Sequence, residues 1–264
     1  MSYIKSYCKI VPGRVTLNGE VFFESDFVRN DDLNANRDVD MRAVLNADNA
    51  NFNVDDKLRS AHEFFSAVYG CLGVDYRKFY KMDALSKLGF VASEILMEGI
   101  DKVAPKEDMG IVLFNRSSSL ETDCRYQRTI QNEDDFFPSP AEFVYTLPNI
   151  VTGEIAIRNK ITGETAFYVV SDFQGDKLCE AIDDMMNLAG MKRVLAGWTE
   201  VDAFTGEISG FMVLCEAQGE VQSEAKGKAH GNTLYDKCAG NVASAKQLNI
   251  SLTGDILEEL YSKY

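Results

Sequence analysis

The chain has 264 residues, of which 45% are hydrophobic and 11% aromatic, so it can bury a substantial apolar core. Its 27 Lys and Arg against 41 Asp and Glu give a net charge of −14, and no basic cluster could follow a phosphate backbone, which argues against nucleic acid as a partner. No apolar stretch approaches the length of a membrane span, and no basic segment followed by a long apolar run opens the chain. A cytoplasmic protein without a membrane span is therefore expected.

The first third of the chain begins with β structure and continues with helices. Alternating polar and apolar residues at 3–11 predict a strand, and Asn-Gly in the middle of 15–23 predicts a hairpin. The stretch 24–53 is rich in Asp and Asn, has little periodicity and is interpreted as a loop insertion. Helical spacing of apolar residues predicts helices at 54–73 and, more strongly, at 82–99.

The middle of the chain alternates between strand and helix patterns. A continuous apolar run at 109–115 is typical of a strand that is covered on both faces. A serine cap opens a predicted helix at 118–130, and a further helix is predicted over 139–161 with an interruption at Pro148-Asn149.

The last third contains a predicted hairpin and a tail. Strands are expected at 192–202 and 207–217, and residues 218–264 are interpreted as a polar tail with one helix at "GDILEELYSK". Buried strands separated by helices predict an α/β fold, in which a layered mixed β-sheet has helices on its faces. No linker or internal repeat is visible, so 1–264 is expected to be a single domain.

The cysteines and histidines indicate neither a redox motif nor a metal site. None of the six cysteines stands in CxxC spacing and most lie inside apolar patterns, which predicts reduced core thiols. The two histidines, His62 and His230, are far apart and have no cysteine or carboxylate partner at metal-ligand spacing. We therefore expect no metal and no cofactor.

The stretch "FYVVSDFQGDKLCEAIDDMM" from Phe167 to Met186 predicts a strand, a turn and a helix. In many enzymes such a corner holds a nucleophile at the helix N-terminus, where free N–H groups and the helix dipole favour a thiolate or an oxyanion. Here Ser171 and Gln174 stand in S-x-x-Q spacing, which is typical of a capping box and explains both residues by helix capping alone. The helix is expected to begin near Phe173, which is interpreted as a plug of the core.

Four blocks of sequence, in order, resemble a known family: "YKMDALSKLGFVASEILMEG", "MGIVLFNRSSS", "FPSPAEFVYTLPNIVTGEIAIRNKITGETAFYVV" and "RVLAGWTEVD". They resemble the N-terminal half of β-ketoacyl-acyl carrier protein synthases, which are members of the thiolase-like superfamily. The likeness is clearest over 78–216, and "VLAGWTE" resembles the Ala-Gly-Gly-Thr-Glu strand of that family, with Trp198 in place of the second glycine. The resemblance implies a thiolase-like half, built as a layered mixed sheet.

The family's decarboxylative condensation uses a cysteine at the corner, which takes the acyl chain as a thioester. Alignment on "FYVV" places Phe173 at that position, alignment backward from "AGWTE" places Asp172 there, and a shift the other way places Gln174 there, the residue that chain-length-factor subunits of polyketide synthases have. None of the three is a thiol. The family's decarboxylating His or Lys residues belong to a C-terminal half for which too few residues follow Glu216, and His230 has no matching context.

The resemblance therefore implies a catalytically inactive β-ketoacyl-synthase-like protein. It would serve as a non-condensing partner or scaffold in a fatty-acid, polyketide or polyene-type pathway. In the family the strand before the nucleophile lies at the sheet edge, so strand 165–171 is expected to pair with a second copy or with an intact condensing enzyme. An acyl carrier protein is a candidate partner if Lys102, Lys106, Arg158 and Lys160 form a local basic patch, since the net charge would otherwise repel that acidic protein.

Two other interpretations stay open. One is a residual thioester decarboxylase or hydrolase that uses Asp172 or a serine of Ser117–Ser119, and the other is a structural protein with no acyl partner. The candidate pocket residues come from the corner and two other loops: Ser171, Asp172, Phe173, Gln174, Ser117, Ser118 and Asn149. Ser117 and Ser118 are also typical of residues that cap a following helix, and Asn149 is typical of a turn or a cap.

Overall fold

The computed structural model describes residues 2–25, 51–218 and 248–263, with side chains in the second range from residue 58 onward. The strands are β1 (Ser2–Val11), β2 (Arg14–Leu17), β3 (Glu20–Glu24), β4 (Met109–Asn115), β5 (Thr165–Val169), β6 (Arg193–Val201), β7 (Ile208–Ala217) and β8 (Ile250–Ser251). The helices are α1 (Asn51–Leu72), α2 (Ala84–Leu96), α3 (Leu120–Arg128), α4 (Pro140–Val144), α5 (Ile150–Asn159), α6 (Gly175–Asn187) and α7 (Gly254–Ser262), with 3-10 turns at Arg77–Lys81 and Glu133–Asp135.

The strands form one mixed sheet in the order β3-β2-β1-β7-β6-β4-β5, and β8 pairs with β1. Strands β5, β4 and β6 are parallel, whereas the pairs from β6 to β3 are antiparallel. The predicted hairpins are confirmed. The tight turn between β2 and β3 uses Asn18 and Gly19 with φ of 54° and 86°, the positive values that a two-residue hairpin turn requires.

The sheet is covered on both faces, which confirms the predicted layered α/β architecture. Along β4, Ile111 and Leu113 point into a core shared with α1, α2 and α5, while Val112 and Phe114 point into a core shared with α6 and α7. This alternation follows from the two-residue period of a strand. Because both faces are buried, β4 is apolar at nearly every position, as the continuous run at 109–115 predicted.

Helix α2 is the most deeply buried helix that the structure describes. The Asp83 carboxylate accepts a hydrogen bond from the Ser86 N–H at 2.9 Å and so caps the first turn, and every residue from Ala84 to Leu96 is buried. Gly89 permits close packing of α5, because a Cβ at this position would lie 2.4 Å from Cγ2 of Val151. The strongest helix predicted from the sequence is thus the centre of the first core.

Several boundaries differ from the predictions. Helix α1 begins at Asn51, inside the expected loop 24–53, and residues 26–50 of that loop lie outside the described residues. The predicted terminal helix is confirmed as α7, whereas the rest of the expected tail, 219–247, lies outside the described part of the chain. Strand β5 ends at Val169, two residues before the predicted end of strand 165–171.

The described cysteines are mostly free thiols. Cys8 and Cys215 are buried, and Cys124 and Cys179 are half-buried. Cys71 is disulfide-bonded, so the prediction that all six cysteines are reduced is wrong at this position, where the side chain is half-buried in the last turn of α1. Positions 230 and 238, the second histidine and the sixth cysteine, lie outside the described residues. No helix among the described residues is long and apolar enough to cross a membrane.

Candidate functional site

The candidate site lies where the parallel strands end. Strand β5 ends at Val169 and helix α6 begins at Gly175, which confirms the predicted strand, turn and helix. In the turn, Ser171 and Asp172 are exposed, whereas Phe173 and Gln174 are half-buried. The side chain that points most deeply into the protein at this corner is therefore an aromatic ring, and no thiol or hydroxyl takes its place.

The predicted capping box is wrong. Helix α6 begins two residues later than expected, its N-cap residue is Gln174, and the Gln174 side chain makes no capping hydrogen bond. The cap comes instead from helix α7, where Oε1 of Glu258 accepts a hydrogen bond from the Gly175 N–H at 2.6 Å. A remote carboxylate therefore satisfies the first N–H group and complements the positive end of the helix dipole.

Two glycines allow this contact between the N-termini of α6 and α7. A Cβ on Gly175 would lie 2.3 Å from the Gly254 carbonyl oxygen, and a Cβ on Gly254 would collide with the side chain of Asp176. The two helix ends thus approach each other more closely than any other residue type would permit. The Gly175 N–H is therefore covered by α7.

Phe173 belongs to a cluster of four aromatic rings, the corner cluster, which also contains Trp198, Phe211 and Tyr261. The Phe173 ring stacks on Tyr261 of α7 with a centroid distance of 3.9 Å and an interplanar angle of 15°. It meets Trp198 and Phe211 edge to face at 6.2 Å and 5.7 Å. Both geometries are favourable for aromatic pairs, so the corner cluster fixes Phe173 and supports its interpretation as a plug.

The predicted pocket residues are not brought together in one cavity. A small hollow beside the corner is lined by Phe114, Val170, Phe173, Gln174, Lys177, Leu178 and Trp198, which include only two of the seven candidates. Ser119 occupies the N-cap position of α3, but its hydroxyl makes no cap and donates to the Thr146 carbonyl at 2.6 Å. Asn149 is exposed at the N-cap of α5 and makes no side-chain cap either.

The loop of Ser117 and Ser118 is held by two buried side chains. Asn115 at the end of β4 donates to the Ser118 carbonyl and accepts from the Ser118 N–H, at 2.8 Å and 3.0 Å. Oε2 of Glu200 accepts from the N–H groups of Arg116 and Ser117 at 2.7 Å and 3.3 Å, while its other oxygen is buried without a hydrogen-bond partner among the described residues. The sequence motif "WTE" contained this glutamate, but nothing in the motif indicated that it would bind the loop after β4.

A second group of polar side chains, the carboxyl pair of Asp83 and Glu121, was not found from the sequence. The Thr122 hydroxyl oxygen lies 3.1 Å from Oδ2 of Asp83 and 3.2 Å from Oε2 of Glu121, and all three residues are buried. One hydroxyl proton can serve only one of the two contacts, so the other requires a proton on a carboxyl group. Burial raises the pKa of both carboxyl groups, which agrees with this assignment.

Cationic and neutral groups surround the carboxyl pair. Arg125 contacts Glu121 at 3.3 Å, and Nζ of Lys87 lies 2.9 Å from Nδ1 of His62. Burial, together with the charges of Lys87 and Arg125, lowers the pKa of His62 to about 4, so this imidazole is neutral at physiological pH. Burial also lowers the pKa of Lys87. The group is best explained as a packed polar network, because its carboxyl, hydroxyl and cationic groups contact one another.

The basic patch expected for an acidic partner does not form. Lys102 and Arg158 both bind the buried Glu94 carboxylate, at 2.5 Å and 3.0 Å. Lys106 is only 5% exposed, and its ammonium group donates to backbone carbonyls. Of the four predicted residues, only Lys160 is exposed. The remaining three are structural, because their charges are satisfied within the protein.

The edge of the sheet is the most open apolar surface near the corner. Strand β5 pairs only with β4 among the described strands, and Tyr168 and Val169 are 48% and 53% exposed. Beside it, between β5 and α6, runs a groove of about 360 Å³. The groove is lined by Val112, Glu164, Tyr168, Ala181, Asp184, Met185, Leu188 and Ala189.

Metal ions in proteins are held by groups of His, Cys, Asp or Glu side chains. Within residues 2–25, 51–218 and 248–263, no group of three or more His, Cys, Asp or Glu side chains is placed to hold a metal ion. The candidate site thus consists of a sealed corner and an open edge.

Comparison with known proteins identifies the fold. No protein-family model matches the chain, and no curated protein sequence does. Among solved structures, the ishigamide ketosynthase/chain length factor is 19% identical over 84% of this chain, with a TM-score of 0.52. The ketosynthase ApeO in complex with its chain length factor ApeC from Xenorhabdus doucetiae is 14% identical over 60% of this chain and 73% of that chain, with a TM-score of 0.42.

The match to the ishigamide protein covers 63% of that chain, so the present chain spans less than two thirds of its length. At this level of identity the likeness concerns the fold. The mixed sheet with helices on both faces is the α/β fold that this chain shares with the ishigamide ketosynthase/chain length factor structure.

Proposed function

We propose that this protein is a non-condensing, ketosynthase-like subunit that pairs with an intact condensing enzyme in a polyketide, polyene or fatty-acid type pathway. The observation that favours this function is the state of the corner. Condensation requires a thiolate at the helix N-terminus, and here Phe173 is packed in the corner cluster while Glu258 binds the first N–H of α6. The cytoplasmic location expected from the sequence is part of the same proposal.

The free thiols support the absence of condensing chemistry. Burial raises the pKa of Cys8 and Cys215 far above the ordinary thiol value, so neither forms a thiolate at neutral pH. Cys179 lies on α6 but one turn inside the helix, and burial followed by the charges of Asp183 and Asp176 raises its pKa as well. Burial also raises the pKa of Cys124. All four therefore favour the unreactive thiol form.

The partner is proposed from the edge of the sheet. On its outer side β5 pairs with none of the described strands, and the side chains of Tyr168 and Val169 are exposed. This edge has no Pro or Lys between Thr165 and Val169. Such an edge is suited to pairing with a strand of another chain. The structure similar to this one is named a ketosynthase/chain length factor, which supports a condensing enzyme as that partner.

The residual-enzyme alternative has less support. The Ser119 hydroxyl donates to the Thr146 carbonyl at 2.6 Å, and this shorter contact competes for its proton with the Asp123 carboxylate at 3.3 Å. Asp172 is exposed on the turn. The third interpretation, a structural protein with no acyl partner, differs from the proposal because such a protein would form no complex with a condensing enzyme.

The proposal is tested by incubation of the chain with acyl- and malonyl-carrier-protein substrates, followed by intact-protein mass spectrometry. We expect no covalent acyl adduct, no condensed product and no release of free acid above the rate without protein. An acyl adduct on any cysteine would contradict the non-condensing assignment, and catalysed release of free acid would favour the hydrolase. Addition of an intact condensing enzyme should then yield a complex, whose absence would favour the structural protein.

A further inference from the structure

The segment 116–144, here called the α3–α4 lobe, contains helices α3 and α4 and the turn at Glu133–Asp135. Among the described residues, no side chain of this lobe belongs to either hydrophobic core, whereas Tyr145 directly after it does. Four large apolar side chains of the lobe are exposed: Phe136, Phe137, Phe143 and Val144. Segments that bury few apolar groups have low local stability, so we expect the lobe to open while both cores stay folded.

Polar contacts attach the lobe to the rest of the chain. The Ser119 hydroxyl donates to the Thr146 carbonyl, and Glu200 accepts from the N–H groups of the loop after β4. Thr122 of α3 contacts Asp83, the N-cap residue of α2. The contact between Thr122 and Asp83 therefore joins the lobe to the most deeply buried helix that the structure describes.

The closed lobe retains a proton at this contact. Oγ1 of Thr122 lies 3.1 Å from Oδ2 of Asp83 and 3.2 Å from Oε2 of Glu121, and its single proton can serve only one of these oxygens. The other contact requires a proton on a carboxyl group, and burial of the pair favours the neutral form. An open lobe exposes both carboxyl groups to water, where they ionise at about pH 4. Opening above that pH therefore releases a proton.

The cations beside the carboxyl pair do not replace this proton. Arg125 of α3 contacts Glu121 at 3.3 Å and Glu142 of α4 at 3.2 Å, so carboxylates share its charge. Lys87 of α2 interacts with Asp83, but its Nζ lies 2.9 Å from Nδ1 of His62 in α1, and that imidazole is neutral. Full ionisation would thus set three carboxylates against two cations, and one retained proton removes the excess negative charge.

The polar residues of α5 and the turn before α2 balance their own charges. Tyr145 interacts with Asp83, and its hydroxyl donates to Oε1 of Glu154 at 3.2 Å. Burial, followed by the Glu154 charge, raises the pKa of Tyr145, so this phenol is neutral. Lys78 binds the same Glu154 oxygen at 2.7 Å and compensates that carboxylate.

We propose that the α3–α4 lobe is a pH-sensitive element of the fold: a proton shared by Asp83 and Glu121 keeps it closed on α2, and loss of this proton opens it while both cores stay folded. The inference is independent of the proposed function, because it involves neither the corner nor the edge of β5. Since opening releases one proton, the opening constant should rise about tenfold per pH unit above the ordinary carboxyl pKa, until the closed pair ionises.

Amide hydrogen exchange of the full chain, resolved on peptides by mass spectrometry, tests the proposal. Exchange rates are divided by those of the unfolded peptides, which gives the opening constant at each pH from about 5 to 8. We expect the opening constant of the α3 peptide to rise with pH. Peptides of α2 and β4, which belong to the first core, should stay protected over the same range.

Three variants separate the carboxyl pair from charge in general. Asp83→Asn retains an oxygen for the cap but has no proton to release, so the opening constant of α3 should vary less than about threefold over this range. Glu133→Gln removes an exposed carboxylate of the same lobe and should behave as wild type. Thr122→Val keeps the side-chain shape without the hydroxyl, and should raise the opening constant of α3 even at the lowest pH. Circular dichroism verifies that each variant is folded.

Three results would overturn the proposal. One is an α3 peptide that exchanges with the same opening constant as α2 and β4, which would mean that the lobe opens only with the whole protein. Another is an opening constant of α3 that does not change with pH. The third is the same pH dependence in Asp83→Asn and Glu133→Gln. None of these results bears on acylation or partner binding, so the proposed function is tested separately.

Discussion

Replacement of Phe173 by Ala tests whether the corner is a plug that stabilises the fold. Truncation of a fully buried Phe costs about 3–5 kcal/mol, and each aromatic pair adds about 0.5–1.5 kcal/mol beyond burial. Phe173 is only half-buried, which reduces the first contribution, but it loses one stacked and two edge-to-face contacts. We expect Phe173→Ala to lower the free energy of unfolding by about 3 kcal/mol.

The chain provides its own reporter for this measurement. It has a single tryptophan, Trp198, whose ring meets Phe173 edge to face, so urea unfolding followed by tryptophan fluorescence reports on the corner cluster directly. Phe137→Ala is a matched control, because Phe137 is 79% exposed and its truncation should cost less than about 1 kcal/mol. If Phe173→Ala also cost less than about 1 kcal/mol, the assignment of Phe173 as a plug would be refuted.

Three further predictions concern the cap and the carboxyl pair. Ser171→Ala should change the free energy of unfolding by less than about 0.5 kcal/mol, since Ser171 is exposed and makes no cap. Glu258→Ala should lower this free energy by about 1–2 kcal/mol, because it removes the cap of α6. Urea unfolding measures both variants. Phe173→Cys should react slowly with iodoacetamide, because the Glu258 carboxylate opposes a thiolate at the helix end. The double variant Phe173→Cys, Glu258→Gln should react faster. Equal rates of the two variants would contradict the carboxylate cap. Burial raises the pKa of Asp83 and Glu121, so the folded chain retains a proton that the unfolded chain releases. The stability that this pair contributes should be fully present below the ordinary carboxyl pKa and should be lost as pH rises through the raised values. Asp83→Asn should therefore lessen this loss, which urea unfolding measures from about pH 4 upward.

The sequence predicted the elements whose residues face a core. The run at 109–115 became β4 because both of its faces are covered, and the apolar stripe at 82–99 became the buried helix α2. The hairpin of β2 and β3 followed from Asn18 and Gly19, since local turn chemistry determines the connection. These features depend on residues that are only a few positions apart in the sequence, so the local sequence pattern predicts them.

The polar contacts could not be predicted in the same way. The start of α6 was misplaced by two residues because its cap, Glu258, is 83 positions from Gly175 in the sequence. The expected basic patch failed for the same reason, since Arg158 binds Glu94 from 64 positions away. A short motif such as S-x-x-Q indicates only a cap formed by neighbouring residues. A carboxylate that is distant in the sequence can replace this cap in the folded chain.

The corner and the edge of β5 differ in a way that bears on function. At the end of the strand, Tyr261 of α7 stacks on Phe173 and Glu258 of α7 binds the first N–H of α6, so the ring and the helix end at the corner are both engaged within the chain. Along the strand itself, no second described strand pairs with the outer edge, and the side chains of Tyr168 and Val169 are exposed. A protein that only needed a stable core would gain nothing from an unprotected edge, since such edges promote aggregation unless a partner covers them. The proposed function accordingly places partner binding at the edge of β5, and it interprets the corner as the place where packing replaces catalysis.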